Sequence, residues 1–403
     1  MDVDIIRYCG WDIGGAHIKF AGLTGDGKLI AVEQQKCPLW LGVDHLCKVI
    51  DTVQRKFNLT KAVHAVTMTG ELCDSFLDRQ TGVECIANAI STKLDPSRVA
   101  LYGLGNSWRE LHDLEGAAAD IASANWYASA SFVAKYCSDA IVMDLGSTTL
   151  DIIPIVDSKI ATKGRDDFSR LKYRELVYTG IVRTPLSSIV RALPFEGDMI
   201  PLAAECFATS ADVYRSLNLL PEHADLYAAA DGGEKSKQGS ARRLFRMIGR
   251  DFNISENISE NVPGDAAQKD GWADGENDDR GEADEWDATL SMARYAFDEQ
   301  LKQIKAGLEF VLAEHQWNRR IVMVGLGCGA HIVEKLCADI GFEYCDFDSL
   351  INLGPDQISG QVDSQVGREN SGQASRDTVA HVCAPAVAVA YLLRADGRLE
   401  AIE

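Results

Sequence analysis

Two stretches of this chain repeat one pattern of apolar and polar positions. Cys9-Gly10-Trp11-Asp12-Ile13-Gly14-Gly15-Ala16-His17-Ile18-Lys19 and Ile141-Val142-Met143-Asp144-Leu145-Gly146-Ser147-Thr148-Thr149-Leu150-Asp151 each run apolar, then Asp-x-Gly, then small or hydroxylic residues, then apolar again. That pattern predicts a strand, a tight turn and a second strand. The first hairpin extends into a three-strand meander over 5–35, with Thr24-Gly25-Asp26-Gly27 as its second turn. The second begins again at Ala140, with Asp157-Ser158 as the next turn. Helical periodicity covers 43–57. Short apolar strands are predicted at Val63–Thr69 and Val99–Gly103, and a buried helix rich in Ala and aromatics at Ile121–Cys137. Residues 162–250 interrupt the repeat with mostly helical segments, a polar tract over Asp231–Ser240 and a basic helix at Arg242–Arg246. A long helix is expected from about Ala288 to His315, then a buried strand at Ile321–Val324. Gly325-Leu326-Gly327-Cys328-Gly329-Ala330 opens another helix, 352–377 is polar and rich in glycine, and an apolar helix covers Ala384–Leu393.

The repeat predicts two related half-domains, 1–138 and 139–403, the second carrying the helical insertion 162–250. At 403 residues the chain is long enough for two full cores. The stretch 256–287 is poor in apolar residues and sets a run of acids against Lys269 and Arg280, so a mobile solvated loop is expected there.

Charge narrows the partners. The formal net charge is -20 and the pI about 4.8, which disfavours nucleic acid and anionic membranes. An anionic substrate must then be drawn in by a local cation or a metal. No segment reaches the roughly 20 apolar residues that span a bilayer. The acidic start Met1-Asp2-Val3-Asp4 leads straight into a strand and does not read as a signal peptide. The 11 cysteines include no C-x-x-C pair, so scattered thiols in a reducing cytoplasm are expected.

Glycine in an Asp-x-Gly turn lets the backbone approach a bulky anion, and the turn's N–H groups can bond phosphate oxygens. The Asp ending the first strand can hold a hydrated Mg2+. Asp12 and Asp144 are therefore the candidate metal ligands, although either hairpin alone fits an ordinary β-turn. Lys19 lies on the outgoing strand and reaches a phosphate if its face points inward. Glu71 and Asp74 follow a strand end and a glycine; they either face a cleft or complement a helix dipole. Arg183, in Tyr178-Thr179-Gly180-Ile181-Val182-Arg183-Thr184-Pro185, is either a bidentate phosphate clamp or a surface ion-pair partner. Gly325, Gly327 and Gly329 also fit the dinucleotide fingerprint G-x-G-x-x-A, with Asp346 about 20 residues on as that fingerprint demands. Too little chain follows to supply the later strands of such a domain. His17 is a turn residue; His45, His64 and His381 show no ligand spacing and read as structural.

Paired Asp-x-Gly hairpins followed by a late Gly-rich strand-to-helix turn resemble the sugar kinase, heat-shock chaperone and actin superfamily. Within it, the stretches WDIGGAHIK, MTGELCDSF, ANWYASA, MDLGSTTLDIIP, YTGIVRTPL, AECFATSADVY, GLGCGAH and APAVAVA resemble the hydantoinase/oxoprolinase-like branch. More narrowly they resemble the furanmethanamine synthases of methanofuran and methylofuran biosynthesis, the tetrahydromethanopterin-linked C1-transfer pathway proteins. The resemblance implies an α/β, two-lobed actin-like ATPase (ribonuclease H-like) fold with duplicated half-domains and a cleft between them. It also implies a transferase that joins a furanmethanol diphosphate to the phenol oxygen of a tyramine- or tyrosine-derived acceptor and releases pyrophosphate. On that account Mg2+ on Asp12 and Asp144 neutralises the leaving group. Gly14, Gly15, Gly146, Ser147 and Thr148, with Lys19 and Arg183, hold the diphosphate, and Glu71 or Asp74 takes the phenol proton. In a two-lobed phosphate-cleft protein the turn of Gly325, Gly327 and Gly329 holds the sugar or base end of a ligand. The implied partners are a small-molecule diphosphate and a phenolic amine, with a homodimer left open. An ATP-dependent kinase or amidohydrolase, or a non-catalytic ATP-gated regulator, is the alternative within the superfamily.

Overall fold

The computed structural model describes residues 5–252, 282–317, 320–352 and 380–399. The chain forms two compact units, one from residues 1–180 with 304–403 and the other from 181–303.

The first unit holds two sheets. One contains β1 (Tyr8–Ile13), β2 (His17–Leu23), β3 (Leu29–Lys36), β4 (Val63–Met68), β5 (Val99–Gly103) and β6 (Ser107–Glu110), in the order β3-β2-β1-β4-β5-β6. The other contains β7 (Ala140–Leu145), β8 (Leu150–Val156), β9 (Lys159–Ile160), β10 (Leu176–Val177), β13 (Val322–Leu326) and β14 (Glu343–Asp346), in the order β10-β8-β7-β13-β14 with β9 also on β8. In both sheets a central strand pairs antiparallel with the strand after it and parallel with the strand on its other side. This is the duplicated ribonuclease H-like plan of an actin-like α/β fold. The copies agree closely in sequence position: β1 and β7 are six residues long, and Asp12 and Asp144 are each the fifth.

Strands β1, β4 and β7 are almost wholly buried because both sheet faces are covered. Residues of both sheets, among them Ala21, Ala65, Val142, Ile153 and Val324, enter one core with the helices Asn125–Val133 and Ala384–Asp396. The C-terminal helix lies almost on the strand backbone. A Cβ on Gly10 would come 1.8 Å from Ala386 O, so only glycine fits in β1 at that point. On the opposite face Trp11 packs on Phe20 and donates its indole N–H to His64 Nδ1 at 3.2 Å. Burial drives the His64 ring pKa down to about 3, which keeps it neutral.

The second unit carries the hairpin β11 (Ala192–Phe195) and β12 (Asp198–Pro201) and the helices Ser210–Ser216 and Lys237–Met247. Its buried charges are matched: Arg243 Nε donates to Asp212 Oδ1 at 2.8 Å and Nη1 to Asp231 Oδ1 at 3.0 Å. The hairpin sits inside a span whose sequence reads as mostly helical. Pro194 and Pro201 weaken a strand reading, yet Glu196 and Gly197 both take positive φ, the turn that matches strand twist.

One further element departs from expectation. The long helix runs Glu282–Ala313, so residues 282–287 are helical and not the end of a loop. Glu285 is buried, and Trp286 packs edge-on against Phe252, a contact that charge pattern alone conceals. The rest of the predicted acidic loop, and most of the polar stretch 352–377, lie outside the described residues. Among the described residues no helix is long and apolar enough to cross a membrane.

Candidate functional site

The carboxyl ends of β1 and β7 each carry a buried aspartate. In-register partners of neighbouring strands share a sheet face, so Asp12, Lys19 on β2 and Thr67 on β4 project together. Lys19 Nζ lies 3.4 Å from Asp12 Oδ2. Asp12 Oδ1 and Thr67 Oγ1 are buried and have no hydrogen-bond partner among the described residues. Burial raises the Asp12 pKa, and Lys19 only partly offsets it. Burial would lower the Lys19 ammonium, but the Asp12 and Asp144 carboxylates outweigh it and hold that pKa above its usual value.

Asp144 occupies the matching place in the second hairpin, opposite Asp151 on β8. Burial pushes its pKa up to about 7, with Lys19 pulling down and the Asp151 and Asp12 charges pushing further up. Where the first hairpin places a lysine beside its Asp, the second places a carboxylate, and Arg170 answers it. Arg170 is 1% exposed, donates from Nη1 to Asp151 Oδ1 at 2.7 Å and from Nη2 to Glu175 O at 3.0 Å, and lies over the Trp126 ring at 4.0 Å. Cys328 and Cys383 also interact with Lys19; burial pushes both thiols up to about 12, so both are neutral.

The glycines of the two hairpins divide into two groups. Gly14 N–H donates to His17 O and Gly146 N–H to Thr149 O, each at 2.9 Å, so these two close their turns and are not free for phosphate, contrary to the role the sequence suggested. The N–H groups of Gly15, Ser147 and Thr148 make no backbone hydrogen bond among the described residues. The late Gly-rich turn serves close packing. Gly327 has φ +78°, and a Cβ there would lie 2.4 Å from Asp144 Oδ1. Its N–H donates to His381 O and that of Gly329 to Leu145 O, while Gly325 abuts the Tyr344 ring. Gly327 thus packs under Asp144, and the N–H groups of Gly327 and Gly329 are spent on His381 O and Leu145 O.

The sequence profile of hydantoinase/oxoprolinase proteins matches residues 63–345. The chain belongs to the hydantoinase/oxoprolinase family. It is also similar to the (4-{4-[2-(gamma-L-glutamylamino)ethyl]phenoxymethyl}furan-2-yl)methanamine synthase of Methanocaldococcus jannaschii, 31% identical over 60% of this chain and 72% of that protein. The synthase of the same name from Methanococcus vannielii is 36% identical over 31% of this chain and 56% of its own length. A nucleotide-free acetone carboxylase structure aligns over 89% of this chain and 67% of that one, at 10% identity and a TM-score of 0.49.

In this hydantoinase/oxoprolinase protein Glu71 is 1% exposed, in the turn that follows β4. Ser123 Oγ donates to its Oε1 at 2.8 Å. Burial lifts the Glu71 pKa to about 7 against that hydrogen bond and the nearby Arg79. Gly70, just before it, packs against Gly14 of the first hairpin, so Glu71 stands close to the turn. Asp74 is exposed and does not share this burial. Arg183 is exposed and belongs to the second unit. Thr67, Asp151, Arg170 and Ser123 escaped the sequence reading. The signal for Thr67 and Asp151 was strand register: each lies directly across from a predicted aspartate. Arg170 and Ser123 reach the site through tertiary folding and left no local signal.

Proposed function

We propose that this chain is a transferase of methanofuran-type carrier biosynthesis. It joins a furanmethanol diphosphate to the phenol oxygen of a tyramine- or tyrosine-derived acceptor and releases pyrophosphate. The observation that carries this reading is the product named for the relative that the chain covers by 72%, a furan whose methylene carbon is bonded to a phenol oxygen. The local chemistry supports it. A part-exposed ammonium beside the buried Asp12 carboxylate and in the field of the buried Asp144, with turn N–H groups without a backbone partner, suits a diphosphate better than an uncharged substrate.

Asp12 and Asp144 offer hard oxygen ligands, and the buried, unpartnered Asp12 Oδ1 fits an Mg2+ ion. Such an ion, when bound, supplies charge neutralisation to a diphosphate leaving group. Lys19 adds a fixed positive charge at the same place. The furan-bearing methylene carbon ionises readily, so binding the leaving group and positioning the phenol account for much of the catalysis. The carbon–oxygen bond to diphosphate breaks with its electron pair leaving on oxygen, and the phenol oxygen bonds to the carbon. Glu71, with a pKa about 7, takes the phenolic proton.

The test is pyrophosphate release from purified protein given the furan diphosphate, a phenolic amine and Mg2+, with and without ATP. Release that requires the acceptor and ignores ATP is the expected result. Strict dependence on ATP, with ADP formed in step, moves the protein to an ATP-dependent kinase or amidohydrolase.

A further inference from the structure

We propose that Asp346, Asp348 and His381 form a second cation site, for a divalent first-row transition ion, distinct from the Asp12–Asp144 pair. The three residues come from three elements. Asp346 ends β14, Asp348 lies in the first turn of the helix Phe347–Asn352, and His381 lies in the single helical turn Ala380–Cys383. One ligand atom from each falls within 4.8 Å of the others. His381 Nδ1 and Asp348 Oδ2 are already 3.4 Å apart. Two ligands at about 2.1 Å from a tetrahedral ion stand about 3.4 Å apart, so this pair already has the spacing of two ligands. The mixed set of one imidazole nitrogen and two carboxylate oxygens suits zinc, manganese or iron better than calcium.

The scaffold under the cluster is rigid. Phe347, between the two aspartates, is fully buried and packs on Phe132, and Ala380, Val382 and Cys383 around His381 are buried too. The three side chains are part-exposed, but the backbone that carries them is anchored in the core. The location is independently favourable. β13 and β14 are parallel, and Asp346 stands at their carboxyl edge, where ligands of open α/β sheets collect. The sequence offered Asp346 another role, as the acidic partner of a dinucleotide fingerprint. The turn before it cannot cradle a pyrophosphate, because the N–H groups of Gly327 and Gly329 are already bonded to His381 O and Leu145 O. The Asp346 carboxylate instead accepts from the Asp348 and Ser349 N–H groups at the start of the following helix, and its remaining lone pairs can serve a cation.

The site has a structural consequence. His381 O holds the N–H of Gly327, and Gly327 packs on Asp144. An ion that fixes His381 also fixes the floor beneath Asp144. Three protein ligands leave one position open on a tetrahedral ion, as in metal sites that take water or substrate.

The experiment is a Co2+ titration of chelator-stripped full-length protein, followed by visible absorption and calorimetry, in wild type and in Asp144→Asn. The second background removes one ligand of the other candidate site. Wild type and D144N are expected to bind Co2+ with a d–d band, and D144N/D348N and D144N/H381Q to lose it with melting curves unchanged. D144N/D346N serves in place of either variant that fails to fold. Absence of Co2+ binding in wild type and D144N, or binding that survives both substitutions, overturns the proposal. Neither result bears on pyrophosphate release, which is measured separately.

Discussion

The Lys19 ammonium stands 3.4 Å from Asp12 Oδ2, directly across the first hairpin. It also acts on Asp144, so one cation compensates two buried carboxylates. Lys19→Met should therefore destabilise the fold by about 3 kcal/mol, toward the low end for a broken buried pair, since the side chain keeps 22% exposure. The penalty should shrink as pH falls, because Asp12 and Asp144 then take up protons and no longer need the cation. Urea unfolding at neutral and acidic pH checks both statements. An equal penalty at both pH values would mean that Lys19 acts through packing alone.

Gly327→Ala and Gly341→Ala separate backbone strain from displacement of Asp144. Both glycines have φ +78°, but a Cβ on Gly341 meets nothing within 4 Å, while one on Gly327 meets Asp144 Oδ1 at 2.4 Å. Gly341→Ala should cost only the left-handed backbone penalty, about 1–2 kcal/mol, and leave turnover intact. Gly327→Ala should cost more and abolish most turnover. Comparable turnover in the two variants would remove Gly327 from the support of Asp144.

Much of the fold was legible because the repeat is local. The two meanders, with Asp12 and Asp144 at the same place in each, follow from alternation and turn residues within a dozen positions. The helix Arg79–Ser91 was not read, although Val83, Ile86, Ala87 and Ile90 bury one face and Asp78 caps it through Thr81 N. Gly82 near its start breaks the local pattern, and glycine is there because Glu71 O would lie 2.5 Å from a Cβ. That is a tertiary requirement written as a local weakness. Site residues divided the same way. Asp12, Asp144 and Lys19 carry their signal in the hairpins, whereas Arg170 and Ser123 meet theirs only through the folded core. His381 showed no ligand spacing because its neighbours, Asp346 and Asp348, are distant in sequence and adjacent only after β14 and the C-terminal helix pack.

Arg170 and Asp151 form a buried pair that a double-mutant cycle can resolve. Arg170→Leu strands the Asp151 carboxylate and gives up the stacking on Trp126, so a loss of about 3–5 kcal/mol is expected. Adding Asp151→Asn removes the uncompensated charge and should recover a large share of that loss. Chemical denaturation of the four proteins measures the coupling. If the double variant is as unstable as the two single losses added, the pair contributes no coupling and Arg170 matters for its stacking alone.

Glu71 links stability and activity to pH with opposite signs. Burial lifts its pKa from 4.5 to about 7, so the folded protein binds that proton more tightly than the unfolded chain does. Its contribution to stability is complete below the unfolded value and is lost as pH rises through the folded value. Stability should thus decline between pH 4.5 and about 7, and Glu71→Gln, which cannot ionise, should flatten part of that decline. Asp144, raised to about 7, and Asp12, Asp151 and Glu175, also raised by burial, add to it, so Glu71→Gln with Asp144→Asn should flatten it further. Activity runs the other way. A general base must be ionised, so turnover should climb with pH through about 7 in wild type and lose that limb in Glu71→Gln. Urea midpoints in chelator give the first curve and single-turnover pyrophosphate release gives the second. If Glu71→Gln flattens the stability curve but keeps the kinetic limb, Glu71 is a buried structural acid and the phenol proton leaves by another route.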